Sequence, residues 1–261
     1  MAEQKISFSD GGLYERTMGV WTRLAGDTFL DWLKPAPNQD WIDVGCGNGA
    51  FTDLIATRCA PQSVEGIDPS AGQIAYARDR APGRIARYQE GNALALPYAD
   101  ASFDIAVMAL VIFFVPEPAK GVTEMARVVR PGGLVTSYSW DILGGGFPVA
   151  LLQEEMRAMD MPTPLPPSVE ASQHDALVAL WADAGLGDIE VRKIAVEQTY
   201  ANFESFWSNM SSFGSAGAIA KLADAERAEL KNRVFARLPP AADGSVTSSA
   251  SAFAIRGRKP A

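Results

Sequence analysis

The chain has 261 residues and carries 31 acidic against 23 basic side chains, a formal net charge of −8. This length suits one large domain, or one domain with a sizeable insertion, and can bury a core without covalent staples. The negative balance argues against a broad electrostatic grip on nucleic acid, and two cysteines with one histidine argue against a disulfide framework or the usual zinc sites.

Residues 1–7 lack an apolar h-region, so no signal peptide is expected and a reducing cytoplasm is the simplest location. Leu13, Trp21, Leu24, Leu30 and Leu33 recur at roughly helical spacing. They predict one or two helices over residues 12–33, stopped by Pro35 and Pro37. Residues 41–44 read as a short buried strand running into glycines. Residues 51–59 carry a helical stripe at Phe51, Leu54, Ile55 and Cys59. A second strand at 64–67, a helix at 72–80 and a third strand at 85–89 follow. Residues 103–108 form a fourth strand whose nearly continuous hydrophobicity suits a central position. The apolar run 105–115, eleven residues, is too short to span a bilayer as a helix. A helix at 118–129, a turn at Arg130-Pro131-Gly132-Gly133 and a fifth strand at 134–140 continue the alternation. Strand and helix alternating in this way mean a parallel sheet with helices on both faces.

The pattern changes after Trp140. Gly144-Gly145-Gly146 is a joint, followed by an amphipathic helix through Met156 and Met159. The segment 161–167 holds four prolines, which lack donors and fix φ, so it belongs to no helix or sheet interior. A helix at 168–184, a strand at 189–198, helical stretches at 203–210 and 216–238, and a last strand at 246–255 complete the chain.

Gly45, Gly47 and Gly49 stand between the first strand and its helix. Glycine permits a tight turn and a close ligand approach, and the helix that follows offers unpaired N–H groups to an anion. Asp68 closes the second strand, nineteen residues beyond Gly49. The carboxyl ends of the first two strands lie side by side in such a sheet, so Asp68 would face the glycines across a crevice. A carboxylate there can accept hydrogen bonds from ribose hydroxyls. These features alone fit a dinucleotide enzyme as well; its G-x-G-x-x-G fingerprint puts the third glycine one residue later, and Ala50 is tolerated there.

The run from Trp41 to Thr52 resembles the first motif of class I S-adenosylmethionine-dependent methyltransferases. Gly66-Ile67-Asp68-Pro69-Ser70 resembles their acidic second motif. Gly91-Asn92-Ala93, Leu96-Pro97 and Ser102-Phe103-Asp104 are similar to the stretch that crosses the adenine, and residues 124–133 to the helix and turn before strand five. The resemblance implies a seven-stranded, doubly wound, mostly parallel α/β sheet of Rossmann-like type, with the last strand antiparallel and a helical cap. It implies cap helices at 1–37, a cofactor-binding core at 38–143, a cap insertion at 144–187, and strands six and seven at 188–261 with a helical insertion at about 202–240.

The resemblance also implies roles. S-adenosylmethionine, leaving as S-adenosylhomocysteine, would rest its methionine part over Gly45, Cys46 and Gly47. Asp68 would take the ribose, Pro69 and Ser70 would border the adenine, and Asn92 with Ala93 would meet its edge. The backbone carbonyl of Ala109 would approach the methionine amino group, and Asp43 would brace the glycine loop through backbone amides. From the N-terminal helix, Tyr14 and Trp21 would close over the cofactor, where a sulfonium favours an aromatic face, with Arg16 or Arg23 clamping the carboxylate.

Methyl transfer mainly requires alignment and exclusion of water. A base serves only an acceptor that holds its proton, and His174 is the candidate. Phe113-Phe114-Val115-Pro116 resembles the small-molecule branch, including quinone-biosynthesis methyltransferases. After strand four stands Ala109-Leu110-Val111-Ile112, not the Asn-Pro-Pro-Tyr of enzymes acting on DNA bases. A small-molecule acceptor is expected, with no nucleic acid, membrane or metal. A catalytically idle binder of the cofactor and a nicotinamide-dependent oxidoreductase remain the other readings.

Overall fold

The computed structural model of the protein describes residues 18–80, 85–212 and 216–261. Tyr14, Arg16 and the first part of the helix expected over 12–33 lie outside the described residues, as does Phe213. In chain order the elements are α1 (Gly19–Leu33), β1 (Asp40–Val44), α2 (Ala50–Arg58), β2 (Ser63–Asp68), α3 (Ala71–Arg80), β3 (Ala86–Glu90) and β4 (Phe103–Ala109). Then come α4 (Pro118–Val128), β5 (Val129–Trp140), α5 (Ala150–Ala158), α6 (His174–Asp183) and β6 (Gly187–Tyr200). The last are α7 (Phe203–Ser211), α8 (Ala216–Ile219), α9 (Asp224–Arg237) and β7 (Val246–Arg258).

All seven strands join one sheet in the order β3-β2-β1-β4-β5-β7-β6. Strands β1 to β5 pair in parallel, while β7 runs antiparallel between β5 and β6. The Rossmann-like sheet expected from the sequence is therefore the sheet observed. Crossovers leave β1 in one direction and β4 in the other. Right-handed connections then put α2 and α3 on one face and α4 on the opposite face. Such a reversal opens a crevice above the carboxyl ends of β1 and β4, where ligands bind in sheets of this kind.

Trp41, Ile42, Asp43 and Val44 of β1 are all buried, as a strand covered on both faces requires. Helix α1 turns Trp21, Ala25, Phe29 and Leu33 inward at four-residue spacing. It ends where Lys34 adopts φ 47° and donates its N–H to Leu30 O at 3.0 Å, with Pro35 behind it. Phe29 lies 4.7 Å from Tyr138 of β5 and 5.9 Å from Phe51 of α2, and Phe51 lies 5.3 Å from Tyr138, centroid to centroid. These three rings lock α1 and α2 onto the sheet; each buried side chain contributes about 1.5–3 kcal/mol.

Two boundaries differ from the sequence expectation. Strand β5 begins at Val129 rather than after the Pro-Gly-Gly turn: Val129 pairs with Phe103, and Leu134 with Ile105. Residues 130–133 bulge out between those pairs, Gly132 taking φ +79°. The Arg130 guanidinium fixes the bulge on Asp104 at 2.8 Å and Asp40 at 3.2 Å. The apolar run 105–115 is also divided, since β4 stops at Ala109 and Leu110 turns the chain at φ +62°. The Leu110 N–H donates to Tyr138 O at 2.8 Å, and a 3-10 turn at Ile112–Phe114 follows.

Within residues 144–187, α5 packs against α9, where Arg237 reaches Glu154 at 2.8 Å and Glu155 at 3.0 Å. Helix α6 instead lies along the sheet beside α4, β6 and β7. Phe203, Phe206 and Met210 turn the buried face of α7 inward, with Phe206 5.4 Å from Tyr200 at the end of β6.

Candidate active site

Gly45, Gly47 and Gly49 all have positive φ (79°, 52° and 80°), but three different neighbourhoods account for them. A Cβ on Gly45 would stand 2.5 Å from a methyl carbon of Val111, and one on Gly49 would stand 2.8 Å from the Tyr88 hydroxyl. Those two glycines make room for the protein itself. A Cβ on Gly47 would meet no heavy atom within 4 Å. Gly47 therefore faces open space above β1, the cradle a close-lying ligand needs.

The loop takes its shape from the neighbouring strand. Gly45 and Cys46 both donate their N–H to Ile67 O, at 2.7 and 3.0 Å. Asp68 is the other clamp: Oδ2 accepts the Gly47 N–H at 3.0 Å and Oδ1 accepts the Ser70 N–H at 2.9 Å. A carboxylate has about four acceptor positions, so two remain for incoming hydroxyls. Burial raises the pKa of the Asp68 carboxyl, and its bonds from Ser70 and Gly47 oppose that rise.

Below the loop Asp43 is fully buried. Its Oδ2 accepts the Thr52 hydroxyl of α2 at 2.7 Å, while Oδ1 is buried with no partner among the described residues. Asp43 braces the loop through Thr52, not through the backbone amides expected from the sequence. Burial lifts its pKa to about 7, with Thr52 opposing and the neighbouring Asp68 charge adding to the rise. Burial likewise raises the Cys46 thiol well above its ordinary value. The Cys46 sulfur lies against Gly66 of β2.

Pro69 is exposed at the lip of the crevice, and Ser70 Oγ accepts the Gln73 N–H at 3.4 Å at the start of α3. Asn92 is exposed; its Oδ1 accepts the Leu94 N–H at 2.9 Å, and half-buried Ala93 rests on the core. Ala109 ends β4 in register with Tyr138. Gly45, Cys46, Gly47, Asp68, Pro69, Ser70, Asn92, Ala93 and Ala109 thus all stand at the carboxyl ends of β1 to β4.

Trp21 and His174 make contacts within the protein. Trp21 is fully buried, and its indole N–H donates to the Tyr200 hydroxyl at 3.2 Å, joining α1 to β6. His174 begins α6 with its side chain 53% exposed. Its Nδ1 lies 2.7 Å from Asp175 Oδ1, and its ring stands edge-on to Phe253 at 5.9 Å. Among the described residues no group of three or more His, Cys, Asp or Glu could hold a metal ion.

Sequence reasoning missed several supports. Tyr88 of β3 packs under both Gly49 and Gly66, and Val111 packs against Gly45. Arg127 of α4 ties down the loop after β3, donating to Leu96 O at 2.9 Å and Tyr98 O at 2.8 Å. Glu124 accepts the Leu96 N–H at 2.8 Å and pairs with Arg127 at 2.7 Å. The three-residue spacing of Glu124 and Arg127 was the available signal.

An S-adenosyl ligand fits these groups. Its amino-acid end needs the open side of Gly47, and its ribose needs an acidic acceptor at the tip of β2. Sheet order and crevice are those of the Rossmann-like fold, in which this crevice takes a nucleoside ligand. Residues 42–136 match the family model described as "Methyltransferase domain".

The chain is 33% identical to the demethylmenaquinone methyltransferase of Desulfitobacterium hafniense over 40% of this chain and 44% of the relative. It spans less than half the length of the curated relatives it matches first, 39% and 44% for two of them. Its fold is similar to the YcgJ protein of Bacillus subtilis, with TM-score 0.60, 17% identity, and 91% and 98% of the two chains covered. It is also similar in fold to the phosphoethanolamine N-methyltransferase 2 of Haemonchus contortus, solved with phosphomonomethylethanolamine and S-adenosylhomocysteine. That match has TM-score 0.62, 18% identity, and covers 99% of this chain and 59% of that one.

Proposed function

We propose that the chain transfers a methyl group from S-adenosylmethionine to an O, N or C atom of a small-molecule acceptor. The observation that carries this reading is the join between Gly47 and Asp68: the two strand tips meet at 3.0 Å, and the open side of Gly47 lies beside them. Gly45, Cys46 and Gly47 border the methionine end, and the open side of Gly47 gives it room. Asp68 accepts the ribose hydroxyls, Pro69, Ser70, Asn92 and Ala93 border the adenine, and the Ala109 carbonyl approaches the amino group.

When bound, S-adenosylmethionine supplies a methyl on a positively charged sulfur: the acceptor's electron pair forms the new bond to that carbon, and the C–S electrons return to sulfur, giving S-adenosylhomocysteine. The chain's residues align the two partners and exclude water, which can lower the barrier by about 7–11 kcal/mol in favourable cases. Any proton on the acceptor leaves to solvent or to a nearby base. The net charge of −8 supports a site that does not take nucleic acid. Free Cys46 and Cys59 are consistent with a reducing cytoplasm. Among the described residues no helix is long and apolar enough to cross a membrane.

The test is calorimetric titration with S-adenosylhomocysteine and, separately, with NAD. Binding of the former with no heat from NAD is expected; binding of NAD alone overturns the reading. Transfer of labelled methyl to a metabolite panel then tests turnover.

A further inference from the structure

The loop after β4 lies against the glycine loop, through Val111 on Gly45, and two further segments adjoin it in the fold. The proline-rich segment is pinned to that same loop by Ser168, whose N–H donates to Phe113 O at 3.0 Å and whose hydroxyl donates to Val115 O at 2.7 Å. The other follows β5, the neighbour of β4, and carries the Gly144–Gly146 joint.

Their side chains share a chemistry. Residues 110–117, 141–149 and 159–173 contain no Lys, Arg or His, and they contain Glu117, Asp141, Asp160 and Glu170. Val111, Phe114, Ile142, Phe147, Met159 and Met161 are half-buried on these loops. Leu143 and Leu165 are 44% and 47% exposed. Lys193 of β6 is already held by buried Asp141 at 2.8 Å. Exposed Arg157 reaches Thr163 Oγ1 at 3.4 Å. Recognition of a phosphate, sulfate or carboxylate needs Arg or Lys donors or a helix N-terminus turned toward the ligand. An anion entering here would instead meet acids, with Asp68 at the tip of β2 across the crevice, and in a closing site such repulsion is poorly screened.

We propose that the acceptor is an apolar molecule carrying no phosphate, sulfate or carboxylate, seated against the loops after β4 and β5 and the segment 159–168. This rests on the methyl-transfer reading above and names the substrate class for that site. Apolar contact supplies its affinity, and exposed Leu143 and Leu165 form part of its entrance.

Matched neutral and anionic probes test it: 1-naphthol against 1-naphthyl phosphate, and decan-1-ol against decyl phosphate. Each is titrated into the full chain saturated with S-adenosylhomocysteine. At least one neutral probe should bind ten-fold or more tightly than its phosphate partner. Leu165→Lys, a change at an exposed position, should narrow that ratio at least three-fold while leaving S-adenosylhomocysteine affinity unaltered. A phosphate probe that binds as well as its neutral partner overturns the proposal, as does failure of both neutral probes, or a ratio unmoved by Leu165→Lys. Failure of S-adenosylhomocysteine to bind at the outset strikes the methyl-transfer reading instead, so the two failures are distinct.

Discussion

The Thr52 hydroxyl reaches across from α2 to donate to Asp43 Oδ2 at 2.7 Å, in a part of the core with no access to water. The carboxyl below the glycine loop is thereby held by one neutral donor, and burial carries its pKa from 3.8 to about 7. Between those values the folded chain keeps a proton that the unfolded chain releases, so folding stability falls as pH rises through this window. Its contribution is fully present below about pH 4 and gone above about pH 7. The upper bound is on the order of 4 kcal/mol at about 1.36 kcal/mol per unit, and the raised carboxyl of Asp68 acts in the same direction. Asp43→Asn should flatten the curve of denaturant midpoint against pH from 4 to 8. A variant as pH-sensitive as the unaltered chain would place the titration elsewhere.

Gly47→Ala and Gly49→Ala should separate ligand from scaffold. Both force a side chain into the left-handed region, at about 1–2 kcal/mol. At Gly49 the new carbon also meets the Tyr88 hydroxyl at 2.8 Å, whereas at Gly47 it enters open space. The larger fall in Tm is expected for Gly49→Ala and the larger loss of S-adenosylhomocysteine affinity, relative to stability, for Gly47→Ala. Gly47→Val should extend that loss beyond a hundred-fold, or about 3 kcal/mol. Thermal melts and calorimetry on the same preparations check both halves.

Asp68→Ala removes acceptors from two backbone amides and from the proposed ribose contact. The S-adenosylhomocysteine dissociation constant should rise at least about 30-fold, some 2 kcal/mol. Because the Gly47 N–H also loses its partner, Asp68→Asn serves as a control that keeps an acceptor oxygen. It should fall between the two. An unaltered dissociation constant in Asp68→Ala contradicts the ribose assignment.

The indole of Trp21 and the hydroxyl of Tyr200 should behave as a pair. Trp21→Phe and Tyr200→Phe each remove one side of the 3.2 Å bond and should cost about 0.5–1.5 kcal/mol. The double variant should cost less than the sum. A change of more than ten-fold in S-adenosylhomocysteine affinity for Trp21→Phe, absent from Tyr200→Phe, would instead assign the ring a direct contact with the cofactor.

The alternation of strand and helix was legible because β1 and β4 are short, mostly apolar runs, and β1 and β2 end at Gly45 and Pro69. The cradle was legible because three glycines and an acid keep a fixed spacing. The supports were not. Thr52 reaches Asp43 through tertiary packing, and the ring of Tyr88 beneath Gly49 depends on strand register. Leu110 carries no mark of its left-handed backbone, so the run 105–115 reads as one apolar block although the chain bends inside it. The early start of β5 was hidden by Pro131 and Gly132, which signal a turn and here form a bulge. A helical stretch at 203–210 was expected, but not that the Phe203 and Phe206 rings pack on each other, 5.8 Å apart.

The carbonyl oxygen of Ile67 receives two amides from the adjacent turn, and this makes the cradle a dependant of its neighbour. Because β2 is flanked on its far side by the outermost strand β3, fraying that starts at the sheet's margin needs to cross only one strand to slacken the grip on the nucleoside. Mutations that loosen β3 should thus weaken cofactor retention from a distance, while equal damage at the opposite margin, on β6, should spare it.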